Sequence, residues 1–211
     1  MEKQKVIVYV DGFNFYHGLK AKAQIERKWK KFYWLDLVKF FTKMMLPHQE
    51  LTEVIYFSAR PLNQGASDRQ NAFFLANKQN PKFKLVLGKY LRKNTVCRNC
   101  GSTIYSYEEK ETDVRIATQI INDVYKDKCD VSIIVSADSD MIPSIELVRE
   151  IKPDHRICVF FPPLRHSIDL TNNCDISKKL AHFEARFNQS ILPNEIELPS
   201  GYIIKCPDTW K

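Results

Sequence analysis

Two strand-like runs, each stopping at an aspartate-bearing turn, constrain this chain more than any other feature. Val6 to Val10 is apolar throughout and ends at Asp11-Gly12. Val131 to Val135, broken only by Ser132, ends at Ser136-Ala137-Asp138-Ser139-Asp140. Such runs read as strands covered on both faces, which is the habit of parallel sheets sandwiched between helices.

The segments between them support that reading. Helical spacing runs through Phe13 to Ala23 and again from Leu35 to Met45, with Leu35, Val38, Phe41, Met44 and Met45 near one face. Val54 to Ser58 reads as a strand closed by Pro61 and a turn, Asp68 to Lys78 as a helix, and Phe83 to Gly88 as a strand. Thr112 is placed to cap a helix through Tyr125 that turns Val114, Ala117, Ile120, Ile121 and Val124 inward. Met141 to Ile151 reads as a helix with Pro143 in its first turn, and Arg156 to Phe161 as the last clear strand, stopped by Pro162-Pro163.

Strands alternating with helices imply βαβ units. The expectation is a three-layer, Rossmann-like α/β fold: a mostly parallel sheet with helices on both faces and a small Cys-x-x-Cys insertion at residues 94–107. With 211 residues, one domain over residues 1–190 is expected, followed by a tail at 191–211 that is partly disordered or packs as a surface arm.

Composition narrows the function classes. A hydrophobic share of 44% and an aromatic share of 12% place the chain among folded globular proteins. No apolar run approaches the roughly 18 residues a membrane span needs, and Met1 to Lys5 leads into a strand instead of a signal peptide, so a cytoplasmic protein with no membrane partner is expected. Its six cysteines are then expected to be reduced. With six glycines, neither G-x-G-x-x-G nor G-x-x-x-x-G-K-[ST] occurs.

The formal charge is +7, and no acidic residue falls between Asp68 and Glu108, a stretch containing Arg69, Lys78, Lys82, Lys84, Lys89, Arg92, Lys93 and Arg98. A second basic run, Lys20 to Lys43, is interleaved with Trp29, Phe32, Tyr33 and Trp34. Alone these read as solvated faces before they read as a nucleic-acid surface.

The acids decide more. In an open parallel sheet, ligands bind beyond the carboxyl ends of the strands. Asp11 ends the first strand, Asp138 and Asp140 follow the strand at 131–135, and Asp113 sits in the first turn of the preceding helix. Each acid singly could be a helix cap or could complement a helix dipole. Together they would repel one another unless a cation neutralised them. Oxygen donors without His or Cys select Mg²⁺ or Mn²⁺, which suits hydrolysis of a phosphodiester.

Three segments carry a resemblance. Val8-Tyr9-Val10-Asp11-Gly12-Phe13-Asn14, Glu109-Lys110-Glu111-Thr112-Asp113-Val114 and Ser136-Ala137-Asp138-Ser139-Asp140-Met141 resemble, in order and spacing, the motifs of the NYN-domain family (LabA-like, within the PIN-like nuclease superfamily). The resemblance implies a PIN-like sheet, Mg²⁺ or Mn²⁺ at Asp11, Asp113, Asp138 and Asp140, and ribonuclease activity on RNA. It also implies a supporting role for Asn14 and a ligand-orienting or turn-forming role for Ser136. Asp11 to Tyr16 together with Trp34-Leu35-Asp36-Leu37 resembles a branch labelled 6-hydroxy-3-succinoylpyridine hydroxylase, which implies oxidation of an aromatic acid. The chain lacks a nicotinamide or flavin fingerprint, so that reading ranks below hydrolysis, beside a catalytically inactive RNA- or nucleotide-binding module.

Lys110, three residues before Asp113, is a candidate phosphate contact or a solvated lysine. Cys97 and Cys100 supply two of the four ligands a structural Zn²⁺ needs, and no second such pair exists, so two surface thiols are preferred over a zinc site unless a distant residue or a second subunit in a homodimer completes it. His17 and His166 could reach the ligand side but read as surface histidines.

Overall fold

A computed structural model describes residues 2–61, 63–96 and 100–211, with the side chains of residues 90–93, 95, 96 and 104–110 outside that description. Six parallel strands form the main sheet: β1 (Gln4–Asp11), β2 (Gln49–Ser58), β3 (Phe83–Leu87), β6 (Val131–Val135), β7 (Arg156–Phe161) and β8 (Ile176–Lys179). Their order is β3-β2-β1-β6-β7-β8. The chain thus winds outward from β1 in one direction, then returns and winds outward from β6 in the other. This is the doubly wound arrangement, and its topological switch point lies between β1 and β6.

The first strand shows why the sheet has three layers. Val6, Val8 and Val10 face one core and Ile7 and Tyr9 the other, and none of the five is more than 2% exposed. Helices α1 (Gly12–Ile25), α2 (Leu37–Thr42) and α3 (Gln64–Asn77) cover the first face through Phe15, Leu19, Phe40, Phe41, Phe73 and Phe74. Helices α4 (Thr112–Tyr125), α5 (Ile142–Ile151) and α6 (Ile168–Asn173) cover the second through Ile116, Ile120, Val124, Ile145, Val148 and Leu170. The three-layer α/β expectation is met, and no helix among the described residues is long and apolar enough to cross a membrane.

Between β3 and α4 the chain makes an antiparallel hairpin of β4 (Lys89–Val96) and β5 (Thr103–Lys110). It leaves the sheet at the carboxyl end of β3 and returns just before Asp113, so its base lies at the ligand side. Cys97 falls outside the described residues, and so does the choice between a zinc site and two surface thiols at Cys97 and Cys100.

Several local expectations are corrected. The segment read as a helix over Leu35 to Met45 is helical only from Leu37 to Thr42, capped by Asp36, whose side chain accepts from the Lys39 backbone N–H at 2.8 Å. Thr112 is the first residue of α4 and not its cap. The chain enters that helix through Glu111 in the left-handed region, φ 76°. The buried face of α4 runs through Ile116, Ile120, Asp123 and Val124, and Val114, expected inward, is 66% exposed. Arg156 to Phe161 is not the last strand. β8 adds an edge too short and polar to be recognised by pattern.

Beyond α7 (Glu184–Asn188), the tail folds back on the first core face. Its strands β9 (Glu195–Glu197) and β10 (Ile203–Lys205) pair antiparallel, and Ile204, Cys206 and Trp210 are buried. Trp34 Nε1 donates to the Pro193 carbonyl at 2.8 Å, and Trp210 packs against Tyr33 and Trp34 with ring centroids 5.9 and 6.3 Å away. The aromatics of the second basic run are therefore core residues: Trp29, Phe32 and Trp34 are each at most 1% exposed.

Candidate functional site

Asp11 is the last residue of β1 and also caps α1: its Oδ1 accepts from the Asn14 backbone N–H at 2.9 Å. The tight entry into α1 requires Gly12. A Cβ there would meet the Tyr56 ring and sit 2.5 Å from the Phe57 carbonyl oxygen. Asp11 is consequently 5% exposed and held in one orientation, at the switch point of the sheet.

The turn after β6 supplies the opposite wall. Ser136 is fully buried and donates its hydroxyl to Asp11 Oδ2 at 2.8 Å, while its Oγ accepts from the Asp138 backbone N–H at 3.1 Å. Asp138 Oδ1 in turn accepts from the Asp140 backbone N–H at 3.0 Å. One chain of hydrogen bonds thus joins the ends of the two central strands and orients the carboxylates of Asp11 and Asp138. Ser136 acts in that chain as a positioning residue.

Asp113 arrives from α4, on the other side of the hairpin. Its carboxyl pKa is pushed up to about 6 by burial first, then by the negative charges of Asp11, Asp138 and Asp140. The fold therefore brings all four acids into one electrostatic neighbourhood. Asp113 and Asp140 make no side-chain hydrogen bond or ion pair among the described residues. As placed, no three carboxylates among those residues close on one ion position. Asp113 and Asp140, both exposed and unrestrained, are the members free to turn inward.

The other candidates separate. Asn14 is partly buried, and its Oδ1 has no hydrogen-bond partner among the described residues. Lys110 ends β5, and its side chain lies outside the described residues. His17 stacks on Phe13 at 4.2 Å and faces a cavity instead of the acids, and burial, with Lys20 and Arg165 nearby, pushes its pKa down. His166 lies on the Phe161 ring at 4.7 Å. The basic residues divide: Arg69 lines the same cavity as His17, whereas Lys82 precedes β3 at the opposite, amino end of the strands, where its Nζ donates to the Leu51 carbonyl at 2.6 Å.

The sequence reading missed two features. Asp123 is fully buried on α4 and accepts from Tyr9 Oη at 3.2 Å, Gln119 Nε2 at 2.8 Å and Lys128 Nζ at 2.9 Å. That satisfied network braces the second core. The cavity beside Asp11 was also missed, because Phe13, Tyr33, Gln70 and Trp210 share no sequence pattern.

Comparison with known proteins matches the family model described as NYN domain to residues 5–179. A relative, the 6-hydroxy-3-succinoylpyridine 3-monooxygenase HspA of Pseudomonas putida (strain DSM 28022 / S16), is 25% identical over 76% of this chain. The match spans 60% of that protein's length. Among solved structures, a protein of unknown function, VPA0982 from Vibrio parahaemolyticus RIMD 2210633, superposes with a TM-score of 0.55 at 20% identity. That match covers 84% of this chain and 93% of the other, and shows a shared fold.

Proposed function

This chain belongs to the NYN domain family, and from that premise we propose that it is a divalent-metal-dependent ribonuclease whose working site is the acid rim of Asp11, Asp113, Asp138 and Asp140. The observation that carries the proposal is the placement of Asp11 and Asp138 at the carboxyl ends of the two central strands, joined through the Ser136 hydroxyl at the sheet's switch point, with Asp113 and Asp140 close enough to interact electrostatically. Like charges gathered at a sheet's switch point cost stability, and a hard cation relieves that cost.

The donor set fits Mg²⁺ or Mn²⁺ in chemistry: it is all oxygen, with no His or Cys among the four acids. When bound, such an ion activates a water and offsets charge developing on the phosphate. The chain's own residues have distinct parts. Asp11 and Asp138 are held by the Ser136 relay and supply fixed oxygens. Asp113 and Asp140 have the freedom to close in. Asn14 supports the substrate beside Asp11, and Lys110, at the base of the hairpin, meets a phosphate oxygen as a point charge.

A second reading, oxidation of an aromatic acid, is favoured by the name of the Pseudomonas relative. The two are separated by one pair of assays on the same preparation. Labelled single-stranded RNA with Mn²⁺ is cut, and is left intact in EDTA, if the chain is a nuclease. Consumption of reduced nicotinamide on adding a hydroxypyridine acid, with no RNA cut, would support the second reading instead.

A further inference from the structure

Helix α1 starts at the acid rim and carries a stripe of accessible side chains along its outer face. Phe13, His17 and Lys20 stand at i, i+4 and i+7, so they follow one another over about 10 Å of helix. Phe13, two residues from Asp11, is 46% exposed and rests on His17 with ring centroids 4.2 Å apart. Lys20, one turn further on, is exposed.

The turn after β7 closes on the same helix. The Arg165 N–H donates to the Pro162 carbonyl at 3.0 Å, and Leu164, 54% exposed, takes the left-handed region at φ 57°. The turn is seated against α1 at Gly18, where a Cβ would come within 2.7 Å of the Pro163 carbonyl oxygen and 2.9 Å of Pro162 Cβ. Arg165 is thereby brought to the His17 side of α1. Arg165 and Lys20 both act electrostatically on the imidazole, and no carboxylate is among the charges that do. Neither cation has an ion-pair partner among the described residues. Two such cations repel each other and attract an anion. A left-handed non-glycine residue is kept where position matters, and two of them border the acids: Glu111 before Asp113, and Leu164 before Arg165.

We infer that this stripe seats the nucleotide next to the scissile phosphate: an unpaired RNA base stacks on Phe13, and Lys20 and Arg165 receive the phosphate that follows it. His17 supports the Phe13 ring. The inference rests on the ribonuclease reading for the strand's path to the acid rim. It goes beyond that reading in naming the substrate class as single-stranded RNA held without base preference. Every base offers a face for stacking, whereas a paired base is not free to turn onto the ring.

The test measures binding of a labelled single-stranded oligoribonucleotide to the full chain in EDTA, by fluorescence polarisation over a range of salt, with Mn²⁺-dependent cleavage followed in parallel. Phe13→Ala is expected to weaken binding roughly tenfold at every salt concentration, the value of one stacked base, and to leave the salt slope unchanged. The Lys20→Ala, Arg165→Ala double variant is expected to reduce the slope of log Kd against log salt by about 0.7, the value of one phosphate contact. All three positions are exposed, so both variants are expected to keep the wild-type unfolding midpoint. A duplex of the same sequence is expected to bind more weakly and to ignore Phe13→Ala. Wild-type affinity and slope in both variants would overturn the seat; if wild type still cuts RNA, the nuclease reading survives. Binding that depends on Phe13 and the two cations, with no cleavage in Mn²⁺, would keep the seat and overturn the nuclease reading. No binding even at low salt would overturn the seat, as would a duplex bound as tightly as the single strand. An equal fall in slope for Lys78→Ala, at the C-terminal end of α3, would show diffuse attraction and overturn it too.

Discussion

Ser136 donates a 2.8 Å hydrogen bond to Asp11 across the gap between β1 and β6, and its oxygen receives the Asp138 N–H. A single hydroxyl therefore sets the relation between acids that are 127 residues apart in the chain. Ser136→Ala removes a donor to a buried carboxylate and an acceptor from the turn. It is expected to cost about 1–3 kcal/mol in urea unfolding. Cleavage activity should fall further than stability alone explains. Full activity in a destabilised Ser136→Ala protein would show that the relay is structural only.

Asp113 makes the rim's stability pH-dependent. Its carboxyl pKa in the folded chain, about 6, lies above the ordinary 3.8. The folded state thus holds the proton more tightly, and stability falls as pH rises from about 4 through 6. In metal-free buffer, Asp113→Asn is expected to be more stable than wild type above pH 6, by about 1 kcal/mol after allowance for solvent screening, and to show no advantage at pH 4. Denaturation midpoints at the two pH values check this, and an advantage of equal size at both would contradict it.

His155 gives the opposite slope at the amino end of the sheet, just before β7. It is 2% exposed, bonded through Nε2 to Ser132 Oγ at 2.9 Å, and its pKa is pushed down to about 4 by burial and then by Lys152. The unfolded chain takes up the proton first, so stability is lost as pH falls from 6.5 through 4, by on the order of 3 kcal/mol. His155→Gln should flatten that part of the acid-unfolding curve, read by circular dichroism; an unchanged curve would assign the acid sensitivity elsewhere.

Gly12 is required by close approach. Gly12→Ala drives a methyl group toward the Tyr56 ring and the Phe57 carbonyl, both in the buried strand β2. The backbone oxygen has little freedom to retreat, so a loss near the upper end of about 1–3 kcal/mol is expected in thermal or urea unfolding. A neutral substitution would mean that α1 can shift on the sheet.

What the sequence showed and what it hid follow from burial. Val6 to Val10, Val131 to Val135 and Arg156 to Phe161 were legible because central parallel strands bury both faces and carry almost no polar residue. β8, Ile-Ser-Lys-Lys, was hidden because an edge strand is free to be polar. The four acids were legible as the residues following buried runs or opening a helix. The entry to α4 was not, since Thr112 has the ordinary chemistry of a cap while the left-handed Glu111 that starts the helix does not. Glu111 is braced there by Arg115 one turn on at 2.8 Å and by Lys89 at 3.4 Å, the latter a contact made only once the hairpin has folded. The cavity beside Asp11 was invisible for the same reason: α1, β2, α3 and Trp210 meet only in the tertiary structure.

The central claim is that the acid rim cuts RNA, and single-turnover cleavage of one labelled RNA by wild type and by Asp138→Asn, in Mn²⁺ and in EDTA, tests it most directly. The account predicts cleavage by wild type in Mn²⁺ alone, a drop on the order of 10²-fold or more in Asp138→Asn, and an unfolding midpoint for the variant in EDTA no lower than that of wild type. Equal rates for the two proteins, or cleavage that persists in EDTA, would contradict it.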